Sequence, residues 1–181
     1  MYRELAQIIL AIQLSAPSLP QIKVEQFAPV IQKDAMKVEV DPLIFVSIIL
    51  HESGFNEGLV SRDGLDEGLM QIRAANFGNN KIGLLVGTFN IDVGAYSIKI
   101  NKEFCAKHLK RQPSNQEWLS CYQGSCNSFA HMCKPTRLTK QFEDYELCLQ
   151  YEVEHNTNAH CRKIYWPNIV EKETTEVAQI N

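Results

Sequence analysis

The sequence predicts a mainly α domain whose C-terminal part is stapled by disulfides. Apolar residues recur at helical spacing in successive segments. One of those segments carries clear start and stop signals, and all six cysteines fall between residues 105 and 161. A chain of 181 residues suits one domain, 1–181, and 45% hydrophobic content is enough for a real core.

The first helix is expected over 3–14. In "MYRELAQIILAIQLSAPSLP", Leu5, Ile8, Ile9 and Ile12 lie at i, i+3, i+4 and i+7, and Pro17 and Pro20 break the run. The stretch faintly resembles a signal peptide, but Glu4, Gln7 and Gln13 interrupt it. A helix packed on the domain is expected, any export signal having been removed ahead of residue 1. "FAPVIQKDAMKVEV" then sets Val30, Ile31, Ala35 and Val38 on one side. The clearest element is "VDPLIFVSIILHESGF". Asp41 is a good N-cap, Pro42 suits the first turn, and Gly54 supplies a left-handed residue at the end. Leu43 to Leu50 is apolar nearly all round, so this helix belongs at the centre of the core. "NIDVGAYSIKINKEF" repeats the logic with Asn90 as its cap. Residues 73–89 read as a helix-and-loop connection, 127–163 as polar and weakly periodic, and "EKETTEVAQIN" as a solvated tail.

Charge and composition narrow the function. A net charge of −3 argues against a nucleic-acid partner. No apolar run reaches the roughly 18 residues that span a bilayer. No phosphate-binding loop or sustained heptad occurs, and no cofactor is expected. Cys105, Cys121, Cys126, Cys133, Cys148 and Cys161 imply disulfides and an oxidising compartment, with connectivity left open. Zinc is the rival, helped by His108, His131 or His160. No CxxC pair or HxxxH is present, so no metal is expected.

Glu52 closes the apolar helix. Partial desolvation there favours the neutral carboxyl, which a general acid needs near neutral pH. The plainer reading is a helix-end glutamate in water. The motifs downstream of Glu52 change the balance. "HESGFN", then "VS", "GLMQI", Asn90-Ile91 and "SCYQG" at 120–124 resemble, in this order, the lytic transglycosylase and goose-type lysozyme superfamily. The match covers about 27–125, the catalytic core, and leaves 126–166 as a Cys-rich extension.

The resemblance implies a lysozyme-like fold with a groove for a glycan strand, and muramidase action on the β-1,4 bonds of peptidoglycan. It makes Glu52 the catalytic acid and Ser61 the loop serine near it. Met70 and Gln71 would line the groove, and Asn90 would be the Asn of the Asn-Ile pair. Tyr122 would be the cleft tyrosine. Two departures stand out. Tyr122-Gln123 replaces the family's Tyr-Asn. The loop "SRDGLDEGLMQ" is one residue longer than usual and carries Asp63, Asp66 and Glu67.

A lytic transglycosylase needs one carboxylate, because the muramic 6-hydroxyl attacks in place of water. An inverting hydrolase needs a second one, about 6.5–9.5 Å away, to activate water. Asp66, ahead of Asp63, is the candidate base. A rim of Asp63, Asp66 and Glu67 would also suit a deacetylated, amine-bearing wall, with Glu67 as a substrate contact. An inactive glycan-binding module, a chitinase- or chitosanase-like enzyme and a zinc-stabilised interaction domain are the other readings. The partner expected is peptidoglycan, met by a monomer in the periplasm or outside the cell. The Cys-rich extension would close one end of the groove.

Overall fold

The computed structural model describes residues 3–124, 126, 132–157 and 159–167. The tail, His131 and residues 127–130 and 158 lie outside the described residues. Eight helices are present among the described residues: α1 (Leu5–Ser15), α2 (Gln21–Val38), α3 (Pro42–Ser53), α4 (Lys81–Leu84), α5 (Gly87–Leu109), α6 (Asn115–Tyr122), α7 (Arg137–His155) and α8 (Cys161–Tyr165). A two-stranded antiparallel hairpin, β1 (Asp66–Glu67) and β2 (Ile72–Arg73), pairs Asp66 with Arg73 and Glu67 with Ile72. A 3-10 turn, Ala74–Phe77, comes directly after it.

The centre is α3. The Asp41 side chain accepts from the Leu43 N–H at 2.9 Å, Pro42 opens the first turn, and Gly54 ends the helix at φ 59°. Residues Pro42 to Leu50 are all buried. Such a helix must be covered on every side, and α1, α2 and α7 pack around it. Truncating Ile48, Ile49 or Leu50 to Ala would cost about 2–5 kcal/mol. Asp41 also accepts from the buried Arg3 Nε at 2.7 and 2.9 Å, which ties the N-terminus to the start of α3. The N-terminal segment is thus part of the core, with Ile8, Ala11 and Ile12 buried.

Three expected boundaries shift. α2 starts at Gln21, before Phe27, and tolerates Pro29 inside it. α5 starts at Gly87 after Val86, so Asn90 lies inside the helix and is not its cap. The weakly periodic stretch after 127 contains the 19-residue α7, capped by Thr136 and burying Phe142, Tyr145, Leu149 and Val153.

Three disulfides join Cys105 to Cys133, Cys121 to Cys126 and Cys148 to Cys161. The last bridges α7 and α8. Among the described residues, none after Gly124 lines the cleft, and the disulfide-stapled α7 packs on α3 as a buttress. His51 on α3 packs against Phe142 and Trp166, with ring centroids 5.0 and 4.8 Å away.

This packing has two measurable consequences. Closing a loop of 13 residues is worth about 3 kcal/mol in the chain-entropy account. Cys148→Ala with Cys161→Ala should lower the urea-derived stability by about 2–4 kcal/mol; no change would contradict the buttress. On α7, burial pushes the Glu146 carboxyl from 4.5 up to about 7, with the Asp41 charge adding and Arg3 opposing. The folded protein keeps this proton where the unfolded chain releases it. Its contribution is therefore full below about 4.5 and is lost as pH rises towards 7. Glu146→Gln should flatten that part of the stability–pH curve, and an unaltered slope would refute the assignment.

Candidate active site

The end of α3 meets the hairpin through Ser53. Its hydroxyl sits 2.8 Å from the Leu69 carbonyl and 3.1 Å from the carbonyl of Ile49, and can donate to either. The Gly68-Leu69-Met70-Gln71 segment is thereby fixed against the helix that carries Glu52. Gly68 has φ +77°, and a Cβ there would lie 2.1 Å from the Leu84 carbonyl oxygen and 2.3 Å from Asn90 Nδ2. Only glycine fits both the backbone angle and the close approach.

Asn90 explains that approach. Its side chain is fully buried and serves three backbone groups. Nδ2 donates to the carbonyls of Glu67 and Leu84 at 2.8 Å each, and Oδ1 accepts from the Met70 N–H at 2.8 Å. Asn90 is therefore a bracket inside the protein and not a cleft contact. Met70 is also corrected: its side chain is fully buried against Gly94, where a Cβ would stand 2.2 Å from its sulfur. Its carbonyl does reach the site, accepting from the Tyr122 hydroxyl at 2.9 Å. Burial, then the nearby charges of Glu52 and Asp66, hold that phenol well above its usual range. Tyr122 is thus a fixed neutral donor.

The result is a cleft of about 590 Å³. Glu52, Asp66, Gln71, Arg73, Asn76, Phe77, Asn101, Tyr122 and Gln123 line it, drawn from α3, the hairpin, the 3-10 turn, α5 and α6. Glu52 is 18% exposed, so one face meets the cleft. The Gln123 amide donates to its Oε1 at 2.7 Å, and His51 Nδ1 lies 3.4 Å from the same oxygen. The Tyr-Gln pair in place of Tyr-Asn therefore keeps an amide contact, aimed at the glutamate. Gln71, at φ +46°, donates to the carbonyls of Leu59 and Gly68 and forms part of the wall.

The acidic loop behaves differently from its expectation. Asp66 faces the cleft, but Arg73 Nε and Nη2 take its two oxygens at 3.0 and 3.2 Å. Strand alternation turns Glu67 to the other face. It is 2% exposed, lies 3.3 Å from Lys81 Nζ and is not among the described residues that line the cleft. Ser61 donates to Asp63 at 2.6 Å and accepts from the Asp66 N–H at 2.9 Å. Ser61 shapes its own loop and does not line the cleft. The rim of three carboxylates does not assemble, and with it goes the basis for choosing an amine-bearing glycan.

Sequence reasoning missed His51, Ser53, Arg73, Asn76, Phe77, Asn101 and the positive role of Gln123. Arg73 alone had a local signal, an opposite charge across a short turn from Asp66.

The site is thus a polar cleft in a helical domain, with a glutamate at the mouth of a buried helix. Residues 29–124, more than half of the chain, match the family described as Transglycosylase SLT domain. The chain belongs to that family, which at family level supports lytic transglycosylase activity on peptidoglycan. No match was found among curated proteins. The three disulfides fit a protein working outside the reducing cytoplasm.

The bracket makes a prediction. Asn90→Ala strands one buried N–H and two carbonyls, each worth about 1–3 kcal/mol when left unpaired. A stability lowered by about 2–4 kcal/mol is expected, with Gly68→Ala at least as severe. A variant of native stability would contradict the bracket.

Proposed function

We propose that this protein is a lytic transglycosylase of the bacterial wall, working in the periplasm or outside the cell, with Glu52 as acid and then base. The observation that carries the reading is the pairing of Asp66 with Arg73. It leaves Glu52 as the cleft carboxylate free to exchange a proton.

The hydrogen bonds on Glu52 suggest how it works. An amide NH2 can only donate, so the Gln123 contact makes Oε1 the acceptor oxygen of the neutral acid. The transferable proton then sits on Oε2. Glu52 gives it to the glycosidic oxygen as the C1–O bond breaks. The carboxylate so formed takes the proton of the muramic 6-hydroxyl, whose oxygen closes on C1. The proton count returns to its start, and no water is consumed. Tyr122, a neutral donor held on the Met70 carbonyl, would fix the floor beside the reacting ring. The cleft lining includes Asn76, Asn101 and the Phe77 ring, a mix suited to sugar hydroxyls and acetamido groups.

Hydrolysis is the second reading, because Asp66 does line the same cleft. Product mass separates the two: lytic cleavage of purified sacculi gives muropeptides one water lighter than hydrolysis does. Anhydro products are expected, and exclusively hydrated ones would favour Asp66 as base. Glu52→Gln should fold normally and lose at least about a hundredfold in rate, as removal of a general acid predicts. Gln123→Ala should lose about ten- to a hundredfold, because this bond strengthens to one with a charged group as Glu52 gives up its proton. Near-wild-type wall lysis by Glu52→Gln would overturn the assignment.

A further inference from the structure

The two disulfides beside the cleft are not spaced like independent bridges. Cys105 stands on α5, Cys121 on α6, and Cys126 and Cys133 on the chain beyond α6. Their four Sγ atoms all lie within 4.8 Å of one another. Sulfurs of different bridges touch: Cys105 is 3.3 Å from Cys121, and Cys121 is 3.5 Å from Cys133. Cys105, Cys121 and Cys133 are buried, Cys126 is half-buried, and the Cys133 N–H donates to the Cys126 sulfur at 3.3 Å. Among the described residues, no histidine belongs to the group.

Four sulfurs in so small a volume match the needs of a tetrahedral ion. With Zn–S bonds of about 2.3 Å, neighbouring sulfurs of a four-thiolate zinc centre lie about 3.8 Å apart. The two unbonded contacts are already close to that edge, and the bonded pairs have only to open. Cys121 and Cys126 enclose four residues, within the ligand spacing of structural zinc sites. The backbone N–H on Cys126 is the kind of outer contact that steadies a thiolate.

We propose that Cys105, Cys121, Cys126 and Cys133 form a second site, a four-thiolate centre for a zinc-type divalent ion, filled when their two bridges are reduced. Each bridge becomes two thiols, either by exchange with a dithiol, which gives up two electrons and two protons and leaves as its own disulfide, or by reaction with a phosphine and one water, the water supplying the two protons and the oxygen of the phosphine oxide. Zinc then binds four thiolates and releases four protons, with no redox change at the metal. The consequence reaches the cleft. Cys121 directly precedes Tyr122 and Gln123, the residues that hold the Met70 carbonyl and Glu52. Bridges and metal are alternative staples for one segment, so the chain keeps its site in oxidising and in reducing surroundings.

The test uses the full chain, reduced with a phosphine without oxygen and titrated with Co2+ while absorption and helix content are monitored. One ion per chain is expected, with the long-wavelength bands of tetrahedral four-thiolate cobalt, native helix content and bleaching by one equivalent of Zn2+. Alkylation of the zinc-loaded protein, mapped by mass spectrometry, should label Cys148 and Cys161 and spare the other four. Absent four-thiolate bands, equal binding by the chain in urea, or protection that includes Cys148 or Cys161 would each overturn the proposal.

Discussion

The burial of α3 sets the terms for the rest of the molecule. An apolar helix with no solvent-facing side from Pro42 to Leu50 is stable only when other elements cover it completely. Three helices do so, and α7 arrives from the far end of the chain. The last turn escapes this cover. There the helix carries His51, Glu52 and Ser53 in succession. His51 packs on the C-terminal aromatics, Glu52 meets the cleft, and Ser53 holds the hairpin. One helical turn thus distributes three directions to three neighbouring residues, and the carboxylate takes its position from the packing of its neighbours.

The hairpin beside it is held by backbone chemistry more than by its own side chains. A two-residue strand pair is marginal alone. Asn90 supplies the missing hydrogen bonds from inside α5, and Gly68 lets the backbone come close enough to receive them. This accounts for a polar residue buried in a helix and a glycine whose Cβ has no room. The same arrangement turns Asp66 towards the cleft and Glu67 away from it, which is why three neighbouring acids do three different things.

Much of this was legible in the residues. Asp41, Pro42 and Gly54 marked α3 to within a residue, and the order of motifs around Glu52 pointed to the lysozyme-like fold and the Transglycosylase SLT domain family. Residues that act through long-range contacts were harder. Asn90 looks like a helix cap because a short amide before an amphipathic run satisfies that pattern. Nothing local reveals that Val86 and Gly87 start the helix first. Met70 and Gln71 are adjacent, yet one fills the core and the other lines the cleft. Only the close contact with Gly94 separates them. The helix α7 was hidden because its buried face alternates with charged residues, and its partner surface on α3 lies about ninety positions earlier. Cysteine spacing, likewise, left connectivity open until the fold brought four sulfurs together.

The central claim is that the last turn of α3 delivers Glu52 to the scissile bond of a bound glycan. The most direct test is a crystal structure of Glu52→Gln with a peptidoglycan glycan oligomer. The strand should run through the cleft between the hairpin and α6, with the residue 52 amide about 2.6–3.2 Å from a glycosidic oxygen. A glycan bound elsewhere on the surface, or one crossing the cleft with residue 52 out of reach of every bridging oxygen, would contradict it.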